Sequence, residues 1–130
     1  MTERRRISGH SPHEPVVGYS RAVRVGSHVY VSGTAPIPPG GGEPPAGAYA
    51  QTELCIQIVL GALNEAGASA EDVVRTRVYL AHAKDQGDAG RAHGDVFGDI
   101  RPASTMLAVG ALLDPRWLVE IEAEAVVIRT

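Results

Sequence analysis

The C-terminal segment from Trp117 to Ile128 alternates between apolar and other residues with a period of two. Glu120, Glu122 and Glu124 occupy successive alternate positions, and the positions between them are apolar. Successive side chains of a β-strand point to opposite faces of a sheet, so this pattern predicts a strand with two unlike faces. One face is apolar and suited to burial, and the other carries a row of carboxylates.

The rest of the chain predicts an α+β domain around this strand. Two short alternating runs flank a turn at Gly26 and Ser27, which is typical of a β-hairpin. A helix, a strand, a second and weaker helix, and a further strand follow before the C-terminal strand. The predicted bounds are 22–25, 29–32, 48–66, 73–81, 85–97, 104–109 and 117–128. This order predicts a mixed sheet with both helices on one face, in which strands joined through a helix are parallel.

Length and composition indicate a single domain. At 130 residues the chain fits one domain of ordinary size, and we assign it to residues 18–130. Residues 1–17 are polar, contain Pro12 and Pro15, and are predicted to form a flexible N-terminal arm. Aromatic residues make up 5% of the chain, so its core must be largely aliphatic. A small domain of this kind gains stability by oligomerising.

Charge, cysteine content and hydropathy exclude several classes of function. The formal net charge of -3 argues against a nucleic-acid partner, because neutralising phosphates needs an excess of Lys and Arg. The single cysteine, Cys55, excludes an intrachain disulfide and fits a reducing compartment. No apolar stretch approaches the roughly 20 residues of a membrane span, and the N-terminus has no apolar signal-peptide core. We therefore expect a cytoplasmic protein that does not interact with membranes.

The sequence shows no residue spacing typical of a metal site or a phosphate-binding loop. No two of the five histidines are spaced i, i+4 on a predicted helix, and no CxxC pair exists, so no metal site is predicted. Cys55 falls on the apolar face of the first helix, which favours a buried structural thiol over a nucleophile. The glycines at 40–42 are not followed by the Lys-Ser/Thr of a phosphate-binding loop.

The row of glutamates leaves two interpretations open. Glu122 and Glu124 can form a solvated face, or they can pair across the sheet with Arg75 and Arg77. Glu120 begins the row beside the entry to the strand, where a cleft can form. A carboxylate at the edge of a cleft can orient or deprotonate a water molecule.

Several motifs in one order resemble the RidA/YjgF family. They are Tyr19-Ser-Arg-Ala-Val-Arg-Val-Gly26, Val29-Tyr-Val-Ser-Gly-Thr34, Ala50-Gln-Thr, Leu63-Asn-Glu-Ala-Gly, Glu71-Asp-Val-Val-Arg-Thr, Arg101-Pro-Ala and Leu118-Val-Glu-Ile-Glu-Ala. Together they extend over about residues 18–128. A series of separate motifs in the right order is more specific than one short pattern.

The resemblance implies a chorismate-mutase-like α+β fold and a homotrimer with ligand clefts between subunits. It also implies hydrolysis of reactive imines and enamines to ketoacids and ammonia, without a metal or cofactor. In the family a glutamate positions the attacking water, and a tyrosine and a strand-end glycine line the cleft. The matching residues here are Glu120, Tyr19 and Gly33, and Met106 is expected to contribute backbone groups.

The chain departs from the family pattern at one position. Deaminases of the family have Pro-Ala-Arg-Ser after the second helix, whereas this chain has Pro102-Ala103-Ser104-Thr105. Ser104 thus replaces the arginine that binds the substrate carboxylate, and a hydroxyl carries no positive charge. Three hypotheses follow. The first is a RidA-like hydrolase with altered substrate preference, and the second is a trimer that binds a small molecule or protects other proteins without turnover. The third, ribonuclease activity, conflicts with the net charge.

Overall fold

The computed structural model describes residues 3–128 and contains six strands and two α-helices. The strands are β1 (Arg4–Ile7), β2 (Ala22–Val25), β3 (His28–Thr34), β4 (Val73–Leu80), β5 (Ala103–Ala108) and β6 (Val119–Val126). The helices are α1 (Ala48–Glu65) and α2 (Gln86–Phe97). Short helical turns are also present at Glu14–Gly18, Ala70–Asp72 and Ala83–Asp85.

All six strands form one mixed sheet in the order β1-β2-β3-β6-β4-β5. The glutamate-bearing strand β6 lies inside the sheet and is antiparallel to both of its neighbours, β3 and β4. These two neighbours, which α1 connects, therefore run parallel to each other. The second helix connects β4 to its parallel neighbour β5. The predicted α+β fold with a mixed sheet is confirmed.

Both helices cover the same face of the sheet, which we call the helix face; the opposite face is the open face. The apolar residues of β6 are buried on the helix face, where they meet apolar residues of both helices. The core residues of this layer are Val119, Ile121, Ala123 and Ala125 from β6, Cys55, Ile56, Val59 and Leu63 from α1, and Ala89 and Phe97 from α2. The glutamates consequently lie on the open face. The predicted single helical layer is confirmed.

The N-terminal segment, predicted as a flexible arm over residues 1–17, contains secondary structure between residues 4 and 18. Residues 4–7 form β1, which pairs antiparallel with all four residues of β2. Ile7 joins the core at 5% exposure, and the guanidinium of Arg5 donates a hydrogen bond to the carbonyl of Glu65 at 2.7 Å. Further along, the Glu14 side chain is buried and accepts hydrogen bonds from the backbone N–H of Gly9. These contacts bind the segment to the domain.

A glutamine of α1 sets the start of β6. Gln51 is 3% exposed, and its amide oxygen accepts a hydrogen bond of 2.7 Å from the backbone N–H of Leu118. Its amide nitrogen donates to the carbonyls of Pro45 and Arg116 at 3.0 and 3.1 Å. Because Gln51 takes up the donor that a strand would use at this position, β6 begins at Val119 rather than at the predicted residue 117. Glu120 is therefore the second residue of the strand.

Candidate functional site

Two of the three glutamates on β6 are engaged with residues of β4. The Arg77 guanidinium lies 3.1 Å from Glu124 and 3.9 Å from Glu122. Tyr79 donates a hydrogen bond from its hydroxyl to Glu122, and this bond raises the pKa of the tyrosine. Of the two arginines predicted to pair across the sheet with Glu122 and Glu124, Arg77 does so, whereas Arg75 forms no ion pair within residues 3–128.

Glu120 differs from its two neighbours because its carboxylate has no hydrogen bond or ion pair within residues 3–128. The side chain is half-buried, and this burial raises the pKa of the carboxyl group. The positive charge of Arg21 opposes the shift, and the negative charge of Glu122 adds to it. A carboxylate with this environment holds a proton more readily than an exposed one, which suits a group that exchanges protons with a ligand or water.

The Glu120 carboxylate lies directly against the backbone of Gly33, near the end of β3. One of its oxygens occupies the space that a Cβ atom on residue 33 would need. Residue 33 must therefore be glycine for Glu120 to keep this position. The sheet register changes between Val31 and Thr34, so Gly33 lies where the regular pairing of β3 with β6 is interrupted.

Arg21, which directly precedes β2, donates hydrogen bonds to this end of β3. Its Nη2 atom donates to the carbonyls of Ser32 and Gly33 at 2.6 and 2.8 Å, and to the hydroxyl of Thr34 at 2.8 Å. Burial lowers the pKa of Arg21, and the nearby carboxylates of Glu14 and Glu120 partly offset this effect. The guanidinium thus fixes the backbone beside Glu120 and places positive charge near its carboxylate.

An open cleft of about 430 Å³, the Glu120 cleft, adjoins this carboxylate. Its lining residues are Gly33, Tyr79, Val109, Ala111, Leu112, Leu113, Glu120 and Glu122. The residues of the loop between β5 and β6 supply an apolar wall, and Leu113 is 95% exposed. Apolar walls with a few convergent polar groups are typical of small-molecule sites.

Tyr19 lies in a second cleft of about 370 Å³, the Tyr19 cleft. Its lining residues are Arg4, Arg6, Gly18, Tyr19, Ser20, Val23 and Ser32. The two clefts adjoin the consecutive residues Ser32 and Gly33 of β3.

Ser104 and Met106 face the other side of the sheet. The Ser104 hydroxyl is hydrogen-bonded at 2.8 Å to the hydroxyl of Thr76, which in turn lies 2.8 Å from Nε2 of His93 on α2. Burial lowers the pKa of His93, so this imidazole favours its neutral form. Met106 packs against the core. Within one chain, Ser104 and Glu120 therefore lie on opposite faces of the sheet.

Comparison with known proteins places these features in a family. The sequence profile of the family described as Endoribonuclease L-PSP matches residues 9–127. The chain belongs to this family, which is the RidA/YjgF family. The crystal structure of Rv2704 from Mycobacterium tuberculosis, a member of the YjgF/YER057c/UK114 family, superposes with a TM-score of 0.88 at 42% identity. That match covers 96% of this chain and 100% of the other.

Two further similar proteins have informative names. The 2-iminobutanoate/2-iminopropanoate deaminase of Mus musculus is 34% identical over 110 residues, which cover 83% of this chain and 80% of that protein. The crystal structure of E. coli TdcF with bound serine has a TM-score of 0.80 at 27% identity, covering 95% of this chain and 94% of the other.

Of the RidA-type site residues predicted from the sequence, the structure brings Gly33 and Glu120 into contact. Tyr19 lies in the adjoining cleft, and Ser104 and Met106 lie on the helix face. Neither Tyr79 nor Arg21 was predicted from the sequence as a site residue. Tyr79 shares the open-face parity of Arg77, which is a signal for its placement, but its contact with Glu122 depends on the register of β4 against β6.

Two further points concern Cys55 and the grouping of potential metal ligands. The predicted burial of Cys55 is confirmed, and burial raises the pKa of its thiol. Among residues 3–128, no three His, Cys, Asp or Glu side chains are grouped to hold a metal ion. In the same range, no helix is both long and apolar enough to cross a membrane.

Proposed function

We propose that this RidA/YjgF-family chain forms a homotrimer that binds a small metabolite in clefts between subunits and hydrolyses a reactive imine, an enamine or a related C–N compound. The observation that carries the proposal is the half-buried Glu120 carboxylate against Gly33 in an open cleft. In this position the carboxylate can hold a water molecule and take a proton as the water attacks an imine carbon. The deaminase activity named for the mouse relative supports this chemistry.

A site that combines Glu120 with Ser104 requires two subunits. The two residues lie on opposite faces of one sheet, so only the Ser104 of a neighbouring subunit could approach the Glu120 cleft. Tyr19, Gly33 and Met106 are proposed to complete the same boundary. A crystal structure of the assembly tests this arrangement. A Glu120 carboxylate farther than one bridging water from every Ser104 would contradict it.

The serine at position 104 favours an altered substrate preference. A guanidinium binds a carboxylate through two charge-assisted hydrogen bonds, and a hydroxyl offers one neutral hydrogen bond. The loss is expected to cost about 2–4 kcal/mol of carboxylate recognition at that position. Deaminase activity on imines derived from serine or threonine is therefore expected to be low.

The experiment measures ketoacid formation in an assay coupled to a threonine dehydratase. Wild type, Ser104→Arg, and Ser104→Arg combined with Glu120→Ala are compared. We expect little activity in the wild type, a gain in Ser104→Arg because the anchor is restored, and loss of that gain without Glu120. High wild-type activity would contradict the role given to position 104.

A second candidate function is binding of a small molecule without turnover. The observation that favours it is the Ser104 hydroxyl, which is already hydrogen-bonded to Thr76 and carries no charge for a substrate carboxylate. Absence of ketoacid formation in all three variants, together with ligand-induced stabilisation in a thermal-shift screen, would favour this candidate.

A further inference from the structure

We propose that Arg4 and Arg6 bind the carboxylate group of a small-molecule ligand in the Tyr19 cleft. The inference rests on the proposed function, because it takes the ligand to be a small organic acid that also reaches the Glu120 cleft. It assigns anion recognition to a strand at the edge of the sheet.

The geometry of β1 places both arginines in the cleft. Within this strand, Arg5 and Ile7 face the helices, where Arg5 is bound to a helix carbonyl and Ile7 is buried. Alternate side chains of a strand point to opposite faces, so Arg4 and Arg6 face the open side. The register with β2 sets Arg6 opposite Val23, which is another lining residue of the cleft.

The two guanidinium groups have no counter-charge in the described part of the chain. No acidic residue lines the Tyr19 cleft. Neither side chain has an ion pair or hydrogen bond to any residue from 3 to 128. Like charges two residues apart on one strand face repel each other, and an anion between them would relieve this repulsion.

The neutral polar groups of the cleft also suit an anion. The Tyr19 hydroxyl lies 3.3 Å from the Ser11 hydroxyl, a long contact that a better acceptor could replace. The Ser32 hydroxyl already donates to the carbonyl of Ser20 at 2.6 Å. The cleft thus presents two guanidinium groups and a phenol as donors, and a guanidinium matches the planar geometry of a carboxylate. Its volume of about 370 Å³ is that of a small-ligand site.

Consecutive residues of β3 line the two clefts, so a ligand that extends along this strand end can contact both. Ser32 lines the Tyr19 cleft, and the next residue, Gly33, lines the Glu120 cleft. A carboxylate held by Arg4 and Arg6 would therefore direct the rest of the ligand toward the end of β3. Arg21 donates hydrogen bonds to the carbonyls of Ser32 and Gly33.

The test uses 2-oxobutanoate as the carboxylate probe and methyl 2-oxobutanoate as its uncharged match. Dissociation constants for both are measured by calorimetry on the wild type, Arg4→Gln, Arg6→Gln and the double variant. Arg5→Gln is the control, because it removes the same charge from the opposite face of the same strand. We expect 2-oxobutanoate to bind about 10-fold more weakly to the double variant, with little change in Arg5→Gln. Ester binding should be the same in all proteins.

Several results would overturn the inference. These are equal affinity of the wild type and the double variant for 2-oxobutanoate, equal weakening in Arg5→Gln, and no binding by the wild type at millimolar concentration. A fall in native mass of the double variant would assign the arginines to subunit contacts instead. If Ser104→Arg gains Glu120-dependent deaminase activity while the arginine variants bind normally, the proposed function stands and this inference fails.

Discussion

Burial raises the pKa of the Glu120 carboxyl above that of an exposed glutamate, so the ionised form is disfavoured in the folded protein. The folded state consequently binds the proton more tightly than the unfolded state does. Between the unfolded and folded pKa values, the free energy of unfolding falls as the pH rises. Above that interval, the free-energy cost of ionising Glu120 in the folded state is fully present. Ionisation of the Glu120 carboxyl in the folded protein therefore lowers stability at neutral pH.

Replacing Glu120 by glutamine tests whether the ionised carboxyl lowers the stability of the folded protein. Glu120→Gln should raise the melting temperature at pH 7, and the gain should shrink toward pH 4 as the wild-type carboxyl becomes protonated. Calorimetric melting curves across this pH range provide the measurement. The matched control is Glu122→Gln, which weakens contacts with Tyr79 and Arg77 and should lower the melting temperature. A destabilised Glu120→Gln protein at pH 7 would contradict the explanation.

Gly33 gives a second prediction at the level of one residue. A Cβ at position 33 would overlap a Glu120 carboxylate oxygen, and that flexible carboxylate can move away. Gly33→Ala should therefore fold normally, while in the Ser104→Arg background it should reduce ketoacid formation about 100-fold by displacing Glu120. The control is Gly67→Ala, where a φ of +83° makes any side chain unfavourable. It should cost about 1–2 kcal/mol of stability without changing the rate.

Among the elements, β1 connects the N-terminal segment to the core through one apolar side chain. Ile7 is the only residue of β1 that is buried, and it packs with the core beneath α1. Ile7→Ala should lower the free energy of unfolding by about 2–4 kcal/mol, because it leaves a cavity. Chemical denaturation measures the change. Ile37→Ala, at a residue 46% exposed, is the control and should change stability by less than about 0.5 kcal/mol. Equal effects would indicate that β1 does not contribute to the core.

The elements that sequence analysis predicted well are those with a repeating local pattern. The apolar spacing of α1 and the alternation of β6 repeat over many residues, and both elements were located to within about two residues. By contrast, β1 has only Ile7 as an apolar residue, so it has no alternation to detect. Its pairing with β2 depends on residues distant in the sequence.

The candidate site was predictable only in part for the same reason. The family motifs indicated Gly33 and Glu120, and the structure brings them into contact. The orientation of Ser104 toward Thr76 depends on the parallel register of β5 with β4, which no local pattern specifies. The hydrogen bonds from Arg21 to the end of β3 likewise depend on contacts between segments that are distant in the sequence.

At the scale of the whole molecule, the open face lacks a covering layer within the described chain. Apolar side chains remain accessible there, with Tyr30 at 48% and Leu107 at 44% exposure. Charged residues of β6 and β4 lie between them, among them Arg77 and its partners Glu122 and Glu124. An uncovered sheet face with interspersed apolar groups favours association, and this supports the proposed homotrimer.

Light scattering tests the assembly directly. We expect the wild type to have the mass of three chains at micromolar concentration. Tyr30→Glu places a charge at the centre of the open face, opposite Glu124 in the register of β3 and β6, and should shift the mass toward one chain. Gln57→Glu adds the same charge on the exposed side of α1 and should leave the trimer intact. A stable wild-type monomer would contradict the proposal.

The two edge strands of the sheet also differ in their tendency to pair with a strand of another chain during folding. β1 has three consecutive arginines, and their charge discourages a second chain from adding a strand at that edge. β5, at the opposite edge, has the uncharged sequence Ala-Ser-Thr-Met-Leu-Ala and pairs on only one side in the described chain. Such a strand can template intermolecular pairing. Aggregation of partly folded chains is therefore expected to begin at β5, and protection of this edge will govern the yield of soluble protein.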